Sequence, residues 1–149
     1  MKRFATIAFA TICTYMLCFS MPAYANEECI NYAKPLANSA RLLAKSIEVS
    51  TEALVAINKR ANENEITSFN DFVESAQERS EKMIRTLDEK QQSIMDRAES
   101  TTDYTLCKQD MQDELEELKA ETKEAQKLLI ELKDSIKSML DELKGAFFG

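Results

Sequence analysis

The 149-residue chain contains no histidine, so any chemistry must come from thiols, carboxylates, amines, hydroxyls and thioethers. Without imidazole, Ser-His-Asp and Cys-His nucleophilic catalysis, His-ligated haem and most zinc sites are out of reach. The acids Asp113, Glu114, Glu116 and Glu117 cluster in sequence, but they lack the D-x-D-x-D-G spacing of a calcium loop. The Glu-x-x-His pair of a di-iron bundle is also missing. At the start of a helix such acids complement the helix dipole. Met83, Met95, Met111 and Met139 are spread over apolar stripes, which reads as core packing rather than a copper(I) thioether site. Cys29 and Cys107 have no C-x-x-C neighbour, which argues against a thioredoxin-like role. The two glycines, Gly145 and Gly149, lie at the end of the chain and leave no phosphate-cradling loop. No catalytic residue, cofactor or metal site is expected, and the chain reads as non-enzymatic.

The cysteines carry more meaning as structure. Met1-Lys2-Arg3, an apolar run from Phe4 to Met21 and the box Ala23-Tyr24-Ala25 form the three regions of a secretory signal, with cleavage expected after Ala25. The style is bacterial, so the expected location is the periplasm or beyond. The apolar run approaches the minimum for a membrane span, and an uncleaved anchor is the alternative. Cleavage removes Cys13 and Cys18, leaving Cys29 and Cys107 to form one disulfide in an oxidising compartment. It also removes Lys2 and Arg3, which lowers the formal net charge from −7 by two, to −9. That balance disfavours nucleic acid and anionic membrane surfaces as partners. No stable membrane insertion is expected after cleavage.

The elements that position these residues are helices. From Leu36 to Lys144 the chain has neither Gly nor Pro, which excludes folds built on tight turns. Pro35 suits the first turn of a helix, followed by apolar residues at alternating steps of three and four: Leu36, Ala40, Leu43, Ile47, Leu54, Ile57 and Ala61. Asn62 to Glu65 weakens that helix. Ser68 and Asp71 resemble a short capping box before a second seam of Phe69, Val73, Ala76, Ser80, Met83, Leu87 and Ile94. Residues 99–103 are polar, and Thr102 or Asp103 can cap a third helix. Its seam is the cleanest: Met111, Leu115, Leu118, Thr122, Ala125, Leu129, Leu132, Ile136, Met139 and Leu143. Gly145 stands where a C-terminal cap belongs.

The expected fold is all-α: an up-down-up antiparallel three-helix bundle with coiled-coil-like seams, over 35–64, 69–99 and 103–144, in a single domain from residue 26 to 149. The second and third seams run in phase through Lys90, Arg97, Thr101 and Lys108, so one unbroken helix from about 69 to 144 is the alternative. Those polar positions would make a poor seam, which favours a break near 100–103. Cys29 to Ile66 and Cys107 to Lys144 are both 37 residues. A Cys29–Cys107 bridge would therefore align the first and third helices over about 55 Å.

Function is expected to reside in surfaces. The leading expectation is a protein-interaction or structural module of the bacterial envelope, such as an accessory of a secretion or conjugation system, with a protein partner. Self-association through the seams is open to it. A periplasmic holdase-like chaperone, or a membrane-anchored linker if the signal is retained, are the alternatives. The tail Ala146-Phe147-Phe148-Gly149 either caps the bundle beside Phe69 and Phe72 or offers two aromatics to a partner.

Overall fold

In the computed structural model the backbone is described for residues 2–148 and the side chains for residues 27–146. The chain is all-α: α1 spans Lys2–Glu63, α2 Asn70–Ser100 and α3 Tyr104–Phe148. The helices run up, down and up, with α1 touching both partners extensively and α2 and α3 touching each other least. The helix pattern breaks at 101–103, so the unbroken second helix is not formed.

Each connection has a local cause. At the end of α1, Glu65 N–H donates to Asn62 O and Ile66 N–H to Ala61 O, both at 3.0 Å, with Glu65 at φ 63°. This is a Schellman closure carrying a glutamate where glycine is usual. At the end of α2, Thr101 turns extended (φ −85°, ψ 120°) while its own N–H donates to Arg97 O. Asp103 then caps α3, its Oδ1 accepting from the N–H groups of Thr105 (2.7 Å) and Leu106 (3.2 Å). That cap stabilises the helix start by about 1 kcal/mol.

Three boundary expectations are corrected. α1 is already helical ahead of Pro35. Proline removes one backbone donor, but Pro35 is exposed, where water can bond the carbonyl left over, and the burial of Cys29 and Ala33 holds the upstream turn in place. Ser68 does not cap α2: the helix begins one residue later, with Phe69 at the N-cap and no side-chain cap bond. Asp71 is left to face the helix dipole from the first turn. Gly145 does not end α3, which continues to Phe148. Outside its own helix nothing lies within 4 Å of where its Cβ would be, so the position has room for a side chain.

The core follows the seams, with a small rotation in α1 and in α3. Ala40, Ile47, Leu54 and Ala61 of α1 are buried as expected, but Leu36, Leu43 and Ile57 are only partly covered. Their place is taken by Ala33, Ala37 and Ala44, small residues that let the neighbouring helices approach closely. α2 buries Val73, Ala76, Leu87 and Ile94, and α3 buries Met111, Leu118, Ala125, Leu132 and Met139, while Leu115, Thr122, Leu129 and Ile136 are only partly covered and Glu114 and Leu128 turn inward beside them. The bridge Cys29–Cys107 closes one end with a Cα–Cα distance of 5.9 Å, both cysteines being buried. At the other end Leu140 and Leu143 lie beside Ile57 and Arg60, an offset close to that of the cysteines, so α1 and α3 stay aligned along the bundle.

Candidate functional site

Glu114 is a charged side chain inside the bundle, 1% exposed. It sits on α3 three residues after Met111 and four before Leu118, on the helix face that packs inward. Opposite it α2 presents Lys90, Ser93 and Arg97 at steps of three and four. Ser93 Oγ donates to Glu114 Oε1 at 3.3 Å, Lys90 Nζ donates to Oε2 at 3.2 Å, and the Arg97 guanidinium forms an ion pair with Oε1, its Nε 3.1 Å away. Lys90 Nζ also pairs with Glu117. Burial works against the charge on Lys90, yet its hydrogen bonds to Glu117 and Glu114 carry its pKa above the ordinary lysine value. The same contact holds the Glu117 carboxyl below the usual range, through the hydrogen bond and charge of Lys90.

This cluster explains the break between α2 and α3. Lys90 and Arg97 would be uncompensated on the seam of a continuous helix. Folding α3 back brings Glu114 onto them, and Thr101 Oγ1 reaches Asp110 Oδ2 at 3.4 Å. Farther along, Arg79 and Glu131 pair at 2.7 Å across the same two helices. The side-chain ion pairs between helices thus lie between α2 and α3 among the described residues. Chemically the cluster is a latch: both oxygens of Glu114 are engaged, by Ser93 and Arg97 on one side and Lys90 on the other. The dipole role expected for the acids of early α3 does not describe Glu114, which sequence reasoning placed with its exposed neighbours. The signal that finds it is its seam spacing, read together with the opposite charges at seam positions 90 and 97.

A second polar contact ties the top turn. Asn58 and Asn62, one helical turn apart on α1, both donate through Nδ2 to Asn70 Oδ1 at 2.9 Å. Mid-bundle, the Thr51 and Ser80 hydroxyls hydrogen-bond each other at 2.8 Å, which satisfies the buried Ser80.

Of the residues singled out from the sequence, Cys29 and Cys107 meet as a disulfide. Phe69 and Phe72 are partly buried against the core. The side chains of Phe147 and Phe148 lie outside the described residues, but the backbone that carries them continues α3 rather than turning back at Gly145. The surface between α2 and α3 holds a groove of about 410 Å³ with charged walls that include Lys82, Glu124 and Lys127. Among the described residues no group of three or more His, Cys, Asp or Glu lies together as a metal site. Among the described residues, too, no helix is long and apolar enough to cross a membrane. No family profile matches the chain, and no curated protein or solved structure is significantly similar to it.

Proposed function

We propose that this chain is an exported, non-enzymatic module of the bacterial cell envelope that works through protein–protein contact, in the manner of an accessory to a secretion or conjugation machine. The observation that carries the proposal is the buried Cys29–Cys107 bridge, which clamps the far-separated starts of the packed part of α1 and of α3. Such a bridge persists in an oxidising compartment, and the N-terminal 25 residues supply the route there. The buried Glu114 and Ser80 are engaged in holding helices together, which leaves the surface to do the work. The α2–α3 groove has charged walls, which suits defined contacts better than the broad apolar groove of a holdase.

The partner contact includes the C-terminal tail. Deleting residues 146–149 is expected to leave the melting curve unchanged while abolishing in-cell cross-linking to the partner. If the deletion lowers stability by several kcal/mol, the tail is a structural cap. If it changes neither property, the tail has no part in recognition. A retained N-terminus is the second reading, since the apolar run from Phe4 to Met21 approaches the length of a membrane span. It would make the bundle a membrane-anchored linker, and N-terminal sequencing of the exported protein distinguishes the two.

A further inference from the structure

Among the described residues, the outer face of α1 differs from the charged outer faces of α2 and α3. Ser39, Leu42, Ser46, Val49, Ala53 and Ala56 follow one another at steps of three and four on the side of the helix away from the core, and all six are exposed. Leu42 is 63% and Val49 52% exposed. The strip holds no charge, in a chain that is 30% charged. Its polarity is lower than its composition implies, because its serines spend their hydroxyl protons within the helix: Ser39 Oγ donates to Pro35 O and Ser46 Oγ to Leu42 O, each at 2.9 Å. Beside the strip, Ser50 Oγ does the same to Ser46 O at 2.8 Å. A solvated helix face normally carries charges at these positions. Here the spacing is that of a second packing seam.

We propose that this strip is a self-association surface, on which a second copy of the chain packs its own α1 in antiparallel orientation. The charges on its flank select this occupant. Lys45 and Glu52 lie one heptad apart along the same edge of the strip. In a twofold antiparallel pair that edge meets its own copy. With Leu42 seated on Ala53 of the second copy and Val49 on its Ser46, each large side chain meets a small one. In that register Lys45 of each chain faces Glu52 of the other, twice by symmetry. A slip of one heptad either way sets Lys45 against Lys45 or Glu52 against Glu52. A parallel pair sets Lys45 opposite the neutral Ser50. Only the antiparallel register is both interdigitated and charge-matched. Lys45 now holds Glu48 of its own helix at 2.6 Å on an open surface, 65% exposed, so its ammonium is free to be shared. This contact is independent of whichever partner serves the proposed envelope role.

The test is sedimentation of the oxidised, exported protein over a concentration series, with circular dichroism to confirm that each variant stays helical. The parent is expected to reach the mass of two chains as concentration rises, and Val49→Glu to remain a single chain. Lys45→Glu and Glu52→Lys should each weaken the dimer about tenfold or more, since each creates two like-charge contacts. The double variant Lys45→Glu, Glu52→Lys should recover most of the loss. A parent that stays a single chain up to its solubility limit overturns the proposal, as does a dimer indifferent to Val49→Glu. A double swap no better than the single swaps overturns the antiparallel register. If the parent stays monomeric while Val49→Glu abolishes binding of a different envelope protein, the strip belongs to that protein and the proposal fails.

Discussion

Replacing Glu114 by alanine removes the buried carboxylate that α2 and α3 share. Breaking a fully buried ion pair from one side costs about 3–5 kcal/mol, because the other charge is left without a partner in a place water does not reach. Here the loss is smaller. Arg97 is 50% exposed and can turn to solvent, while Lys90, only 16% exposed, keeps Glu117. The expected cost of Glu114→Ala is about 2–3 kcal/mol. Glu114→Gln preserves shape and an acceptor for Ser93 and should cost about 1–2 kcal/mol. Replacing Lys90 as well, in Glu114→Leu with Lys90→Met, should return stability to within about 1 kcal/mol of the parent, since the charges then left without a partner, Arg97 and Glu117, are half or more exposed and can turn to water. Urea denaturation of the oxidised protein at pH 7 measures all three. With a slope of about 1–3 kcal/mol per molar, the alanine variant should lose about 0.7–3 M in midpoint. A loss below about 0.5 kcal/mol would mean that α2 and α3 do not enclose Glu114. The pH dependence gives a second readout. A lysine whose folded pKa is raised stabilises fully below its unfolded value near 10.5 and loses that contribution as pH rises through the folded value. Glu117, with its pKa lowered, contributes above the usual 4.5 and loses its contribution as pH falls through the folded value. The parent should therefore weaken on the alkaline side, above about pH 10.5, more than the Lys90→Met, Glu114→Leu pair does.

Glu65→Gly should raise stability by about 1 kcal/mol, because only the glutamate pays for a left-handed φ of 63°, and unchanged or lower stability by the same urea assay would place the helix closure elsewhere. Gly145→Ala should also stabilise, by about 0.5–1 kcal/mol, since the position is helical and open, whereas destabilisation would mean that Gly145 is a left-handed cap. Leu132→Ala should cost about 2–4 kcal/mol as a fully buried seam residue, and a melting curve indifferent to Leu132→Asp would make α3 a free arm. Reducing the bridge, or Cys107→Ser, should remove about 4 kcal/mol for a pair 78 residues apart while leaving the helices formed, and an unchanged melting temperature would show that the bridge constrains nothing.

The fold was legible in the sequence because helical packing repeats. Three seams at steps of three and four, a glycine- and proline-free interior and a polar interruption at 101–103 leave few other ways to bury the apolar residues. The cysteine pair was legible because equal spans put both thiols at one end. What escaped notice was set by context that no period encodes. The alanines of early α1 face the core and Leu36 and Leu43 lie beside it, a rotation that the apolar period does not encode. Glu65 takes a glycine conformation because the Schellman bonds hold it, against its own preference. Glu114 resembles its exposed neighbours in composition and differs only in facing Lys90 and Arg97, a relation that exists once α3 folds back. The outer strip of α1 was hidden because its serines break the apolar run. Their hydroxyls are seen to be internally bonded only when the helix is built.

The most direct test of the proposed role is to recover the protein from the periplasm, determine its N-terminal residue and map its thiols under non-reducing conditions. A chain that begins at Asn26 and yields a Cys29–Cys107 linked peptide pair is the expected result. A chain that still begins at Met1, or one in which Cys29 and Cys107 are both free, would contradict an exported, bridge-clamped bundle.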